Sequence, residues 1–290
     1  MAQATAATAP VGLRPLPDPP EMPAGADPFP RWPVWFGAAG FAIGVGAGII
    51  SAILLLPTLL VVTRGFGVDS DDALPVLELV ATLFQDLGWI IGAVLLARTV
   101  CRPRAWHFGF RRPRLGPAVG WSLVAILTYI GLTLLYTLIL KPDSGDPIEA
   151  GDAYGTLIGS CVIIIVVAPI CEEIFFRGFL YRILRGRMGL WPALVITGAL
   201  FGAVHLSSGG PLAVALIAPL GFLLCLVYER SGSLFPCIAL HALNNAIVSA
   251  SEFDRVSTIA LLIGAGMLAL CLIGSLVTRA TPGPRVTRVA

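Results

Sequence analysis

Three short stretches in the second half of the sequence place ionisable side chains among apolar ones. They read Pro169-Ile170-Cys171-Glu172-Glu173-Ile174-Phe175-Phe176-Arg177, Phe201-Gly202-Ala203-Val204-His205 and His241-Ala242-Leu243-Asn244-Asn245. The chain has only three histidines, and two of them lie in these stretches. Carboxylates and histidines are the side chains that most often transfer protons in hydrolytic enzymes. The stretches therefore indicate acid–base chemistry.

Helical spacing separates the two adjacent glutamates. Residues four apart on an α-helix share a face, so Glu173 faces Arg177 and is expected to form a structural ion pair with it. Glu172 is rotated by about 100° from Glu173, as the period of 3.6 residues requires. Glu172 is therefore free to face a different cavity, and it is the candidate general base.

The same spacing pairs Phe201 with His205 and His241 with Asn245, so that three helices can direct polar groups to a common point. A carboxylate held away from bulk water is a suitable general base near neutral pH. We expect Glu172 to take a proton from a water molecule held by His205. His241 and the Asn245 amide are expected to donate hydrogen bonds to the developing oxyanion, a contribution of roughly 2.7–4 kcal/mol per donor.

Each stretch also has a non-catalytic interpretation. Glu172 with Arg177 would be a simple ion pair near the membrane rim, and a single His or Asn often links helices by hydrogen bonds. Polar stretches on three helices favour an enzyme, and the alternatives are a transporter and a non-catalytic immunity or scaffold protein. Cys171 is disfavoured as a nucleophile because the helix directs it away from Glu172.

The composition predicts an all-α polytopic membrane protein. The chain has 290 residues, of which 57% are hydrophobic and 12% charged, and its mean hydropathy is +0.88. A soluble domain carries about a quarter charged residues. A span needs about 20 apolar residues, and eight candidates lie near 34–62, 74–97, 117–140, 155–176, 190–206, 211–229, 233–250 and 256–278. The six cysteines predict buried thiols, since they lack the clustering of a disulfide framework or zinc site.

The basic residues predict that both termini are cytoplasmic. With eight spans, all basic residues except Arg64, Lys141 and Arg255 fall on the side that holds the termini, and short cytoplasmic segments are rich in Arg and Lys. Residues 1–31 are expected to be a disordered cytoplasmic tail, 32–280 the eight-helix membrane domain, and 281–290 a short cytoplasmic tail. Ser207–Pro211, which reads SSGGP, predicts the break between the fifth and sixth spans.

The loop Cys101–Arg114 interleaves basic residues with Trp106, Phe108 and Phe110. This pattern suits the anionic headgroup layer of the cytoplasmic leaflet, and it suggests that the loop gathers substrate at the membrane surface. His107 is interpreted as an interfacial residue rather than a ligand. No nucleic-acid partner is expected; the predicted partners are membrane lipids and a membrane-associated protein or peptide substrate.

The three stretches together resemble the CPBP family, which comprises CAAX proteases and bacteriocin-processing enzymes and includes the Ras-converting CAAX endopeptidase. The family motifs EExxxR, FxxxH and HxxxN are matched in order by Glu172-Glu173…Arg177, Phe201…His205 and His241…Asn245, within a core at about 115–250. The resemblance implies an eight-helix core with a cavity open to the cytoplasm. It also implies that Glu172 and His205 activate water while His241 and Asn245 stabilise the oxyanion, with Glu173, Arg177 and Phe201 as supporting residues.

The resemblance further implies an intramembrane endopeptidase acting near the C-terminus of prenylated proteins or on peptide precursors, and it leaves both substrates open. Glu172, His205 and His241 would be an acceptable zinc set. The HExxH spacing of a preorganised zinc helix is absent, however. A cofactor-independent mechanism is therefore favoured, with zinc as the alternative. The expected location is the plasma membrane of a bacterium.

Overall fold

The structure is a computed structural model that describes residues 31–67, 70–140 and 154–278. Its described part is helical and contains no β-strand. The predicted tails lie outside the described residues, apart from Arg31. Eight long helical stretches follow one another: α1 Trp35–Phe66, α2 Ser70–Arg98, α3 Leu115–Leu140, α4 over 154–188, α5 Leu190–Ala203, α6 Leu206–Ser231, α7 Leu234–Glu252 and α8 Ser257–Val277.

These helices confirm the predicted all-α membrane fold. In the described part, seven helices are long and apolar enough to span a membrane. The remaining one, α5, is apolar but has only 14 residues. Large apolar side chains are exposed along α1, α3 and α8, as expected of lipid-facing surfaces. The chain is therefore an integral membrane protein, and its orientation remains a prediction.

The central helix α4 changes its winding twice. Its α-helical parts Tyr154–Val162, Ala168–Glu173 and Arg182–Met188 are separated by the π-helical parts Ile163–Val167 and Ile174–Tyr181. The first π-helical part immediately precedes the stretch with Pro169, which cannot donate a backbone hydrogen bond. Such π-helical turns often occur at functional sites.

The chain is irregular at two points between the fifth and sixth spans. Helix α5 ends at Ala203, a turn covers Val204 and His205, and α6 begins at Leu206. Gly210 has φ 65° and ψ −177°, which are not helical values, so that α6 is divided by a kink within the SSGGP stretch, where the break was predicted. His205 therefore lies in a turn after α5, and the prediction that it occupies a helix position was wrong.

Close packing brings the first two helices against α4. In α1, a side chain at Gly44 would overlap the Trp89 ring of α2, and one at Gly40 would come within 3.0 Å of Phe175 in α4. The Trp89 and Phe175 rings are stacked, with centroids 5.3 Å apart and planes at 10°. Small residues in α1 thus allow the aromatic side chains of α2 and α4 to form one core.

The loop before α3 packs into the protein. His107 and Phe108 are 7% and 6% exposed. The Phe108 ring packs against Trp32 and Phe179, and its next residue, Gly109, accepts a hydrogen bond from the backbone N–H of Leu234. The loop thus contacts α4 and the first residue of α7, and its position in a headgroup layer stays a prediction.

Candidate active site

Glu173 lies at the centre of a buried polar cluster. Arg177 Nη1 donates to Glu173 Oε1 over 2.6 Å, and both side chains are fully buried. His241 Nδ1 lies 2.9 Å from the same oxygen and donates to it, because a carboxylate can only accept. The predicted Glu173–Arg177 pair is present. The bond to His241 was not predicted, and it ties α7 to α4.

Glu172 points away from this cluster and faces a cavity, as its rotation on the helix predicts. The cavity has a volume of about 310 Å³, and both Glu172 and His205 line it. The rest of its wall comes from the first two helices and the turn after α5: Gly48, Ile49, Ala52, Glu78, Ala81, Thr82, Gln85 and Val204. Two of the four predicted catalytic residues thus share one cavity.

The two histidines use Nδ1 to fix their orientation. His205 Nδ1 lies 2.8 Å from the Phe201 carbonyl oxygen, so it carries the proton and the lone pair of the neutral ring is on Nε2. His241 is fixed by Glu173, and its Nε2 lies 3.9 Å from Glu172 Oε2. That distance exceeds a hydrogen bond. Each ring is thus oriented through its Nδ1.

Asn245 connects α7 to the first π-helical part of α4. Its Nδ2 donates to the carbonyl oxygen of Ile164 over 2.9 Å, and its Oδ1 accepts from Asn244 Nδ2 over 3.3 Å. The π-helical winding changes which carbonyls are paired within the helix, and Asn245 supplies a partner to one of them. This anchors Asn245, which is not among the residues that line the cavity.

Phe201 supports the site through its ring. It is 1% exposed, and the Arg177 guanidinium carbon lies 4.3 Å from its centroid, a favourable cation–π distance. The His205 and His241 rings lie 5.2 Å and 5.5 Å from the same centroid. Arg177 also donates to the Gly221 carbonyl oxygen over 3.1 Å. Phe201 therefore separates and orients the two histidines.

One acidic residue near the site has no place in the three motifs. Asp86 of α2 is fully buried, and neither of its oxygens has a hydrogen-bond partner within the described ranges. Glu172 is the ionisable residue whose charge acts on it. The sequence carried a signal, because a carboxylate inside an apolar span is a functional candidate by default. Because Asp86 belongs to none of the three motifs, the sequence alone gave no indication of its role.

The described residues include no group of three or more His, Cys, Asp and Glu side chains that could hold a metal ion. All six cysteines are free thiols and all but Cys101 are buried, as expected.

A comparison with known protein families identifies the segment that carries these groups. Residues 154–247 match the family model of the type II CAAX prenyl endopeptidase, Rce1-like. This segment is an Rce1-like CAAX prenyl endopeptidase domain. It contains all seven motif residues, in agreement with the resemblance to the CPBP family, and the match supports intramembrane endopeptidase activity in general.

Two curated relatives extend the similarity beyond this domain. An "Uncharacterized 24.3 kDa protein" of Escherichia coli is 28% identical over 128 residues, which cover 42% of this chain and 59% of that protein. The "Uncharacterized protein YyaK" of Bacillus subtilis (strain 168) is 26% identical over 234 residues, 73% of this chain and 76% of that protein. No solved structure gives a significant match.

Proposed function

We propose that this protein is a CAAX-type intramembrane endopeptidase that hydrolyses a peptide bond with a water molecule activated by Glu172. The observation that carries the proposal is that Glu172 and His205, which lie on different elements, line one cavity inside the membrane domain. A carboxylate and a histidine form a suitable pair for positioning and deprotonating water. No Ser or Cys nucleophile is needed.

The reaction proceeds in two steps. Glu172 takes one proton from water, the water oxygen bonds to the carbonyl carbon of the scissile amide, and the electron pair of the C=O bond moves to its oxygen. The intermediate then collapses, the C–N bond breaks, and the proton held by Glu172 passes to the leaving nitrogen. The products are a carboxylic acid and an amine, so the same residue acts first as base and then as acid.

The oxyanion is stabilised from α7. His241 is held at Nδ1 by Glu173, which directs its Nε2 to the site. Nε2 can donate to the oxyanion when the ring carries a second proton in addition to the one on Nδ1. Asn245 has a second amide hydrogen besides the one bound to Ile164. Each donor contributes roughly 2.7–4 kcal/mol when it is aimed at the developing charge.

The proposed substrate is a membrane-associated protein or peptide. The family match favours a prenylated protein with a C-terminal CAAX sequence, and a peptide precursor is the alternative. The distribution of basic residues supports termini on the cytoplasmic side of the membrane, and the resemblance to the CPBP family supports a cavity that opens to the cytoplasm, with a bacterial plasma membrane as the proposed location.

The central test is Glu172→Gln, which keeps the shape of the side chain and removes its basicity. Purified protein in detergent is assayed with a fluorescence-quenched farnesylated CAAX peptide and with an unprenylated precursor peptide. We expect kcat to fall by about 10²–10⁴-fold, the usual contribution of a general base, with an unchanged melting temperature. Full activity of the folded variant would refute the proposal.

Metal dependence is tested separately. Wild-type protein is treated with a chelator, exchanged into metal-free buffer and assayed with the same peptides. We expect activity to be retained, because the proposed step needs only Glu172 and water. Loss of cleavage that zinc restores would replace this mechanism with the alternative in which Glu172, His205 and His241 bind zinc.

A further inference from the structure

Helix geometry brings Asp86 to the level of Glu172. Contacts between Gly44 and Trp89, and between Gly48 and Gln85, show that α1 and α2 run in opposite directions. Helix α1 is also antiparallel to α4, because Gly37 meets Leu180 while Gly40 meets Phe175. Helices α2 and α4 are therefore parallel.

The stacked pair of Trp89 and Phe175 sets the register of these two parallel helices. Asp86 lies three residues before Trp89, and Glu172 lies three residues before Phe175. One turn back along both helices thus brings the two carboxyl groups to the same height, each on the face that carries the stacked ring. Their electrostatic interaction agrees with this register.

The surroundings of the two carboxyl groups are poor in partners. Asp86 is fully buried, and its oxygens lack a hydrogen-bond partner in the parts of the chain that the structure describes, as does Glu172 Oε2. The groups that act on this pair from α4 and α7 are the Cys171 thiol and His241. The nearest guanidinium in the motifs, Arg177, is bound to Glu173. No cation of the motifs is thus paired with Asp86.

Two neighbouring carboxyl groups in an apolar interior cannot both be ionised, since each charge disfavours the other and neither is compensated. One of them holds a proton. Glu172 faces the cavity and has His241 nearby, whereas Asp86 is shut off from solvent. Asp86 is the group with less to stabilise a negative charge, so the proton resides there. A protonated carboxyl group is a hydrogen-bond donor.

We propose that Asp86 is a positioning residue of the active site, which in its neutral form donates a hydrogen bond to Glu172 and directs that side chain at the cavity. This inference rests on the proposed role of Glu172 as general base. It adds a residue of α2, outside the family-matched segment, to the machinery of the reaction. The donor is present before substrate binds and costs no reorganisation during the reaction.

Two variants separate this role from a purely structural one. Asp86→Asn keeps a neutral donor of similar shape, and Asp86→Leu removes the donor while filling the same space. We expect Asp86→Leu to lower kcat by about 10–100-fold, as loss of a group that orients a reactive residue does, with KM within about twofold of the wild type. Asp86→Asn should retain most of the activity.

The melting temperature gives a second readout. An apolar residue in place of a buried polar one is often neutral or stabilising, so Asp86→Leu should melt no lower than the wild type despite its low kcat. A parallel fall in melting temperature and activity would indicate a structural role and overturn the proposal. Glu252→Gln, which changes an exposed carboxylate at the end of α7, is the control and should match the wild type.

Infrared spectroscopy tests the proton without any substrate. At neutral pH, the spectrum of the wild-type protein should contain a protonated carboxyl band that disappears in Asp86→Asn. Absence of this difference, or wild-type kcat in Asp86→Leu, overturns the proposal for Asp86 alone. Full activity of Glu172→Gln in the same peptide assay overturns the proposed function instead, so that the two failures are distinguishable.

Discussion

The helices α4 to α7 and the hairpin α1–α2 contribute to the site in different ways. The segment from α4 to α7 supplies every motif residue, and its residues 154–247 match the family model. The hairpin supplies most of the cavity wall and Asp86. In the apolar 18-residue stretch of Leu157–Met188, 44% is buried inside the protein, whereas the corresponding share in Trp35–Gly65 is 11%. The reactive groups thus come from the more buried segment α4 to α7, and the lipid-exposed hairpin α1–α2 encloses them.

This difference explains why the motifs describe the site incompletely. A motif records residues whose spacing is set within one helix, such as Glu173 and Arg177. The cavity instead depends on how close α1 and α2 come to α4, which is decided by small residues such as Gly40 and Gly44 under aromatic rings. Three substitutions test this difference between the two regions, and they follow in the order of their expected effect, from the largest to the smallest.

The largest effect is expected for Glu173→Gln. It leaves the fully buried Arg177 without its counter-ion, and breaking a buried pair from one side costs about 4 kcal/mol. We expect a strongly lowered melting temperature in detergent and loss of activity. The matched control is Glu173→Leu combined with Arg177→Met, which removes both charges and should recover much of the stability without the activity. A stable single variant would show that α4 does not depend on this pair.

A somewhat smaller effect is expected in the hairpin for Trp89→Ala. Trp89 is fully buried and stacks on Phe175, and truncation of a buried aromatic residue costs about 3 kcal/mol or more. Because this contact sets the register of α2 against α4, activity should fall along with stability. Thermal unfolding and the peptide assay measure both. A stable variant with normal kcat would mean that the hairpin encloses the cavity without positioning anything in it.

The smallest of the three is expected for Gly202→Ala at the α5–α6 contact. A side chain there would lie 2.7 Å from Ala218 Cβ and 3.0 Å from its backbone N, and such overpacking costs about 2 kcal/mol. The shift would move Phe201 and so loosen both histidines. Gly186→Ala is the control, since nothing lies within 4 Å of that position. Equal melting temperatures for the two variants would contradict the close helix contact.

Much of the fold follows from local patterns. Apolar runs gave the helices, because each run must cross about 30 Å of hydrocarbon. The period of 3.6 residues separated Glu172 from Glu173, and the structure agrees. The SSGGP stretch was correctly predicted to interrupt the helix, because a glycine at positive φ has a non-helical backbone. The sequence did not indicate the additional turn at Val204 and His205. The aromatic residues of the loop with Phe108 suit a headgroup layer and a protein core equally well, and the burial of Phe108 became apparent only from the packing.

The sequence by itself determined the membrane class, the succession of helices and the acid–base residues, because hydropathy and helical spacing act over a few neighbouring residues. Only the tertiary structure decided that Glu173 is shared by Arg177 and His241, that Asn245 is bound to Ile164, and that the stacking of Trp89 on Phe175 brings Asp86 to the level of Glu172. These contacts join helices that are far apart in sequence, and their distances depend on how closely whole helices pack.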